Sequence, residues 1–114
     1  MVEYKAPHRE YEFILKEVLK IEEVLNKYPE YDEASWDMIQ MISEQFGKIN
    51  EEYWVASNKE GDEVGAIFDE GRVIVPEKMK EATKMVIESG LTQLFGHQKY
   101  GGMEFPNAVS YTHL

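Results

Sequence analysis

The sequence predicts an all-α fold interrupted by one short extended hairpin. Two long segments carry apolar residues at alternating intervals of three and four, the spacing that places side chains on one face of a helix. A third such segment follows a stretch punctuated by Gly61, Gly65 and Gly71, in which two short apolar runs flank a turn. The length of 114 residues suits one domain or part of a larger one.

The first predicted helix extends from about Arg9 to Lys27. Pro7 lies just before it, where proline is tolerated near a helix start, and Pro29 interrupts the pattern after it. Its apolar face is formed by residues spaced four, three and four apart, namely Ile14, Val18, Ile21 and Leu25.

The second predicted helix follows Ser35, a residue type that caps helix N-termini, and has Asp37 in its first turn. Gly47 lies inside this helix, where glycine costs about 1 kcal/mol relative to alanine, and one interpretation is that it lets a neighbouring segment approach closely. In so short a chain, we expect part of the helix's apolar seam to await another helix or domain. The seam consists of Ile39, Ile42, Phe46, Ile49 and Tyr53.

The hairpin and the third helix come next. The run "AIFDEGRVIV" predicts two short strands around an Asp69-Glu70-Gly71 turn, and Pro76 then opens a helix that ends at Gly90. The apolar face of this helix includes Met79, Ala82 and Val86, and the loop that follows is expected to be anchored by Leu91, Leu94 and Phe95.

The composition excludes several classes of function. The 22 acidic residues exceed the 12 basic ones, and the net charge of -10 disfavours binding to nucleic acids and to anionic membranes. Without cysteine, the chain has no disulfides, thiolate metal sites or cysteine nucleophiles. The N-terminus has no apolar signal region and no run is long enough to span a bilayer, so we expect a cytoplasmic protein.

Few residues are of a type and spacing that indicate catalysis or ligand binding. His8, His97 and His113 lack the spacing of a helical metal site, so we interpret them as surface or loop histidines and expect no metal. Trp36 and Trp54 could line a cofactor pocket, although aromatic residues at helical spacing more often belong to a core. Tyr100, Gly101 and Gly102 form the main candidate site, because adjacent glycines let a backbone approach a ligand closely; a flexible turn is an equal alternative.

Three stretches of the chain are similar to a known family. They are "YKAPHREYEFILKEVL", "SNKEGDEVGAIFDEGRVIVPEKMKEA" and "ESGLTQLFGHQKYGGMEFP". In this order they resemble the N-terminal part of acyl-CoA dehydrogenases, and most closely the N-terminally extended branch that includes methylthiopropanoyl-CoA dehydrogenase-like enzymes. The chain departs from the family in having "GHQK" before Tyr100, and Met103-Glu104-Phe105 after the glycine pair.

The resemblance implies that residues 1–34 form an extension and residues 35–108 an incomplete N-terminal helical domain. The parent protein would be a homo-oligomeric oxidoreductase that uses FAD and an electron acceptor to dehydrogenate an acyl-CoA thioester at its α and β carbons. The family's catalytic base and most of its flavin-binding motifs lie in later domains, so the chain alone is expected to be inactive. Of the family's functional features, the resemblance transfers only the loop of Tyr100, Gly101 and Gly102 to this sequence. It implies that this loop lies near the active-site side of the helical domain, and we assign the loop no chemical role.

Two further expectations concern the end of the chain and its function. Residues 109–114, "VSYTHL", match the translated end of a transposon used to prepare DNA for sequencing, which predicts an adapter-derived tail. The alternative to the dehydrogenase is a small acidic helical interaction module without enzymatic activity, whose apolar seam binds a partner or a second copy.

Overall fold

The computed structural model describes the backbone of residues 3–111 and the side chains of residues 3–109. Two π-helical segments, Phe13–Val18 and Asn50–Trp54, each directly follow an α-helix, and short 3-10 turns lie at Pro29–Tyr31, Leu91–Gln93 and Gln98–Tyr100. The strands β1 (Ile67–Asp69) and β2 (Arg72–Ile74) form an antiparallel hairpin. The all-α class with a hairpin between helices is thereby confirmed. The helices are α1 (His8–Glu12), α2 (Ile21–Leu25), α3 (Trp36–Ile49), α4 (Val55–Val64), α5 (Glu77–Glu88) and α6 (Asn107–Tyr111).

The continuous helix predicted from Arg9 to Lys27 is wrong in its middle. Lys20 has a left-handed backbone with φ of 49°, which separates the π-helical segment from α2. In the π-helical segment the Leu19 N–H donates to the carbonyl of Ile14 at 2.9 Å, five residues back rather than four. Each such turn holds an extra residue and therefore rotates the side chains that follow.

This rotation changes which residues are buried. Leu15 is only 3% exposed, whereas Ile14 and Val18 are 44% and 58% exposed, so the prediction that they share one apolar face with Ile21 and Leu25 is wrong. Ile21 and Leu25 are buried at 5% and 4% exposure, as predicted.

The predicted start and seam of the second helix are confirmed. The Ser35 hydroxyl accepts a hydrogen bond from the Met38 N–H at 3.4 Å and caps α3. Helical structure continues through the π-helical segment to the end of α4, where Gly65 with φ of 66° stops it. Of the seam, Ile39, Ile42 and Ile49 are buried, and Phe46 and Tyr53 pack against them.

The predicted hairpin is also confirmed. Asp69 pairs with Arg72, which leaves Glu70 and Gly71 as a two-residue turn with φ values of 43° and 80°. Positive φ at both turn positions matches the twist of the two strands. Gly90, with φ of 76°, ends the α5 region as predicted.

In the core, residues from the N-terminal segment and from the segment after α5 pack against α3. The predicted anchors Leu91 and Leu94 are buried, but Phe95 is 62% exposed, so its prediction as an anchor is wrong. Phe105 takes the buried place because its N–H donates to the carbonyl of Leu94 at 2.7 Å, which brings its side chain against the core. The buried apolar cluster consists of Leu15, Ile21, Leu25, Ala34, Trp36, Ile39, Ile42, Ile49, Leu91, Leu94, Phe105 and Val109.

The predicted segment boundaries stay predictions. Residues on both sides of the boundary at 34/35 contribute to one core. Of the predicted adapter-derived tail, Val109 is fully buried within α6, and residues 112–114, His113 included, lie outside the described residues.

Unpaired apolar surface lies elsewhere than expected. The chain itself covers most of the α3 seam, whereas large apolar side chains are exposed on the N-terminal π-helical segment and on both hairpin strands. The most exposed of them include Phe13, Val18, Ile67, Phe68 and Val73. Within residues 3–111, no helix is long and apolar enough to cross a bilayer.

Candidate functional site

The loop that carries Tyr100, Gly101 and Gly102 is closed at its base by two backbone hydrogen bonds. The Phe105 N–H donates to the carbonyl of Leu94 at 2.7 Å, and the Met103 N–H donates to the carbonyl of Gln93 at 2.9 Å. Because the side chains of Leu94 and Phe105 are buried in the core, the base of the loop is fixed to the helical body.

Above this base the chain crosses itself at two glycines. A Cβ atom on Gly102 would overlap the carbonyl group of Gly96, and a Cβ atom on Gly96 would lie 3.2 Å from the Gly102 Cα. Next to the crossing, the Glu104 N–H donates to the Gly96 carbonyl at 3.0 Å. The close approach that Gly102 permits is thus to the chain itself, and we see no need for a ligand to explain it.

His97 connects the two sides of the loop through both ring nitrogens. Its Nδ1 accepts a hydrogen bond from the Lys99 N–H at 3.0 Å, and its Nε2 lies 3.1 Å from Glu104 Oε1. An Nδ1 that accepts carries no proton, so the neutral ring holds its proton on Nε2 and donates it to the carboxylate. His97 and Glu104 were not predicted as partners, since no sequence periodicity relates residues seven apart across two turns.

Tyr100 stands at the tip of the loop. Its side chain is 82% exposed, its ring meets the ring of His97 edge-on at 6.4 Å, and the Lys99 ammonium lies 5.5 Å from its centre. The predicted site residues therefore occupy one loop, with Tyr100 presented to solvent and Gly102 at the crossing. Among residues 3–111, no group of three or more potential ligands is arranged to hold a metal ion.

A concave region, apart from the Tyr100 loop, lies between the N-terminal segment and α3. It is a cleft of about 280 Å³ that includes His8, Trp36 and Ser43 in its lining. His8 packs so closely over Gly47 that a Cβ there would lie 2.5 Å from its Cε1, which confirms that this glycine permits close approach. The His8 Nδ1 lies 3.4 Å from the Ser43 hydroxyl, so His8 has a structural contact rather than a free ring.

The cleft offers a ligand little surface. Its apolar floor, formed by Leu15, Trp36 and Ile39, is already at most 9% exposed, so covering it gains little. Trp36 belongs to the core and Trp54 packs against it, which supports the interpretation of both as core residues. Beside the cleft, burial raises the pKa of Tyr11, with a smaller contribution from the charge of Tyr4.

Comparison with known proteins gives one distant similarity. No protein-family model matches the chain. It is 29% identical over 106 residues to a 3-methylmercaptopropionyl-CoA dehydrogenase of Ruegeria pomeroyi, in an alignment that covers 93% of this chain and 18% of the relative. The chain therefore spans less than a fifth of that relative's length. This weak similarity supports no more than the acyl-CoA dehydrogenase family for this chain.

Proposed function

We propose that this chain is the N-terminal helical part of an FAD-dependent acyl-CoA dehydrogenase, which removes two hydrogens from the α and β carbons of an acyl-CoA thioester. The observation that carries the proposal is the alignment with the dehydrogenase relative, which extends over 93% of the chain. The helical fold with one hairpin is consistent with the N-terminal helical domain of that family.

The described residues do not themselves fit FAD. The lining of the cleft of about 280 Å³ contains Glu12 and Glu44, whose charges would repel a diphosphate. Arg9 in the same lining is already paired with Glu12 and Glu17. The exposed tip at Tyr100 is a protrusion rather than a pocket. We therefore assign flavin binding and chemistry to parts of the parent protein outside this chain, and propose inactivity for the chain alone.

Further parts of the proposal concern the parent protein. We propose that it is a cytoplasmic homo-oligomer of the N-terminally extended branch, with acyl-CoA as substrate and a separate electron acceptor. The loop of Tyr100, Gly101 and Gly102 would lie on the active-site side of the helical domain. Its closed base and exposed tip suit a surface that contacts another domain or a bound substrate.

The proposal is tested by comparing two purified proteins, the 114-residue chain and the product of the complete source gene. We expect the chain to be colourless and the complete protein to show a flavin spectrum that bleaches when an acyl-CoA thioester is added. A complete product that binds no flavin would favour the alternative, a helical interaction module. Flavin bound by the 114-residue chain itself would contradict the assignment of the cofactor site to other domains.

A further inference from the structure

We propose that His97 is a proton-sensitive clasp for the tip of the Tyr100 loop. The neutral ring holds the 3-10 turn Gln98–Tyr100 through the Lys99 amide, and a proton on the ring releases that amide while tightening the contact with Glu104. This inference depends on the described loop alone and not on the dehydrogenase proposal.

The clasp follows from the opposite demands of the two ring nitrogens. The Lys99 N–H, 3.0 Å from Nδ1, can only donate, and therefore requires an unprotonated Nδ1. The Glu104 carboxylate, 3.1 Å from Nε2, can only accept when it is ionised, and is satisfied by a proton on Nε2. Both contacts exist together only when the ring is neutral.

A second proton on the ring must go to Nδ1, where it faces the Lys99 N–H. Two donors then oppose each other, so the amide loses its acceptor and the side-chain cap of the turn is lost. Around the ring, the Glu104 carboxylate lies 3.1 Å from Nε2, the Tyr100 ring meets the imidazole edge-on at 6.4 Å, and the Lys99 ammonium lies 5.5 Å from the centre of the Tyr100 ring. Histidine side chains change charge between about pH 5 and pH 8.

The expected movement is confined to the tip. The base is held by the crossing of Gly96 and Gly102 and by the bond from the Phe105 N–H to the Leu94 carbonyl, none of which involves a titrating group. Protonation therefore removes the side-chain cap at Lys99, while the backbone bonds from the Tyr100 and Gly102 N–H groups to the His97 carbonyl remain and the loop stays closed at its ends.

The test is amide hydrogen exchange of the 114-residue chain measured by NMR at about pH 5 and about pH 8. Exchange is expressed as a protection factor, which removes the intrinsic pH dependence of the chemistry. We expect the protection factor of Lys99 to fall about fivefold at the lower pH, the equivalent of one hydrogen bond of about 1 kcal/mol. The Phe105 amide serves as the internal reference and should not change.

Two variants distinguish the effect of ring protonation from the effect of losing the side-chain cap. His97→Asn keeps a side-chain acceptor for the Lys99 amide but does not titrate, so the protection factor of Lys99 in this variant should be the same at both pH values. His97→Ala removes the acceptor and should give low protection at both. The proposal is overturned if wild-type protection at Lys99 is independent of pH, if His97→Asn shows the same fall, or if Phe105 loses protection together with Lys99.

Discussion

Replacement of Gly47 by alanine sets two opposing effects against each other. Gly47 lies within α3, and alanine in a helix interior is favoured over glycine by about 1 kcal/mol. The new Cβ, however, would lie 2.5 Å from His8 Cε1 and 2.9 Å from the Ala6 Cβ. Real Cβ atoms do not approach other atoms so closely, so the N-terminal segment must move.

The structure allows the net effect to be worked out. Overpacking of this kind typically costs about 1–3 kcal/mol. The displaced segment also strains the bond from the Ala6 N–H to Glu51 Oε1 at 2.7 Å and the contact between His8 and Ser43. Taking roughly 2 kcal/mol for this cost and about 1 kcal/mol for the helix gain, we expect Gly47→Ala to lower the free energy of unfolding by about 1 kcal/mol.

The assay is urea unfolding of the 114-residue chain, monitored by circular dichroism, with Gly47→Ala introduced first into the unaltered chain and then into a second background. In a chain that also carries Ala6→Gly and His8→Ala, the clashing atoms are absent, and Gly47→Ala should stabilise by about 1 kcal/mol. Gly61→Ala is the matched control, because its Cβ would meet only the mobile Met79 Cε at 3.3 Å, and it should not destabilise the chain. Stabilisation by Gly47→Ala in the unaltered background would refute the close packing of the N-terminal segment on α3.

Three further predictions test other parts of the structure. Gly102→Ala should destabilise the loop by about 2 kcal/mol or more, because the new Cβ meets the backbone of Gly96. Gly101→Ala should cost only about 1–2 kcal/mol, because its Cβ lies in open space and only the φ of 84° is unfavourable. Amide exchange of the loop residues distinguishes the two substitutions. Glu70→Asn should raise the free energy of unfolding by about 0.5 kcal/mol, because asparagine tolerates the left-handed turn position at φ of 43°, and unchanged denaturation would contradict the turn geometry. Tyr11→Phe should reduce the loss of stability at alkaline pH. The raised pKa of Tyr11 means that the folded state holds the phenol proton more tightly than the unfolded state does. The stability that Tyr11 contributes is therefore complete below about pH 10 and is lost as the pH rises through the raised pKa. Urea unfolding across that range, with the exposed Tyr100→Phe as control, measures the difference.

The parts of the fold that depend on local signals were predictable. The α3 seam follows from its spacing, its start from Ser35, and the hairpin from the Asp69-Glu70-Gly71 turn. The break at Lys20 was not predictable, because no glycine or proline marks it and the spacing of Ile14, Val18, Ile21 and Leu25 fits an uninterrupted α-helix.

The loop that holds the candidate site was predictable but its construction was not, and its role as a site stays a prediction. Tyr100, Gly101 and Gly102 lie in one loop, as expected from the paired glycines. The contact of His97 with Glu104, and the burial of Phe105 in place of Phe95, both depend on where the chain crosses itself. The crossing is set by backbone contacts within one irregular loop, such as the bond from the Glu104 N–H to the Gly96 carbonyl, and no periodic sequence pattern marks such a bond.

The central proposal is that this chain is part of a flavin-dependent acyl-CoA dehydrogenase, and its most direct test is the absorption spectrum of the protein expressed from the complete source gene. The account predicts bound flavin whose visible absorption bleaches when an acyl-CoA thioester is added without an electron acceptor. A folded complete protein without flavin, or with flavin that no acyl-CoA reduces, would contradict it.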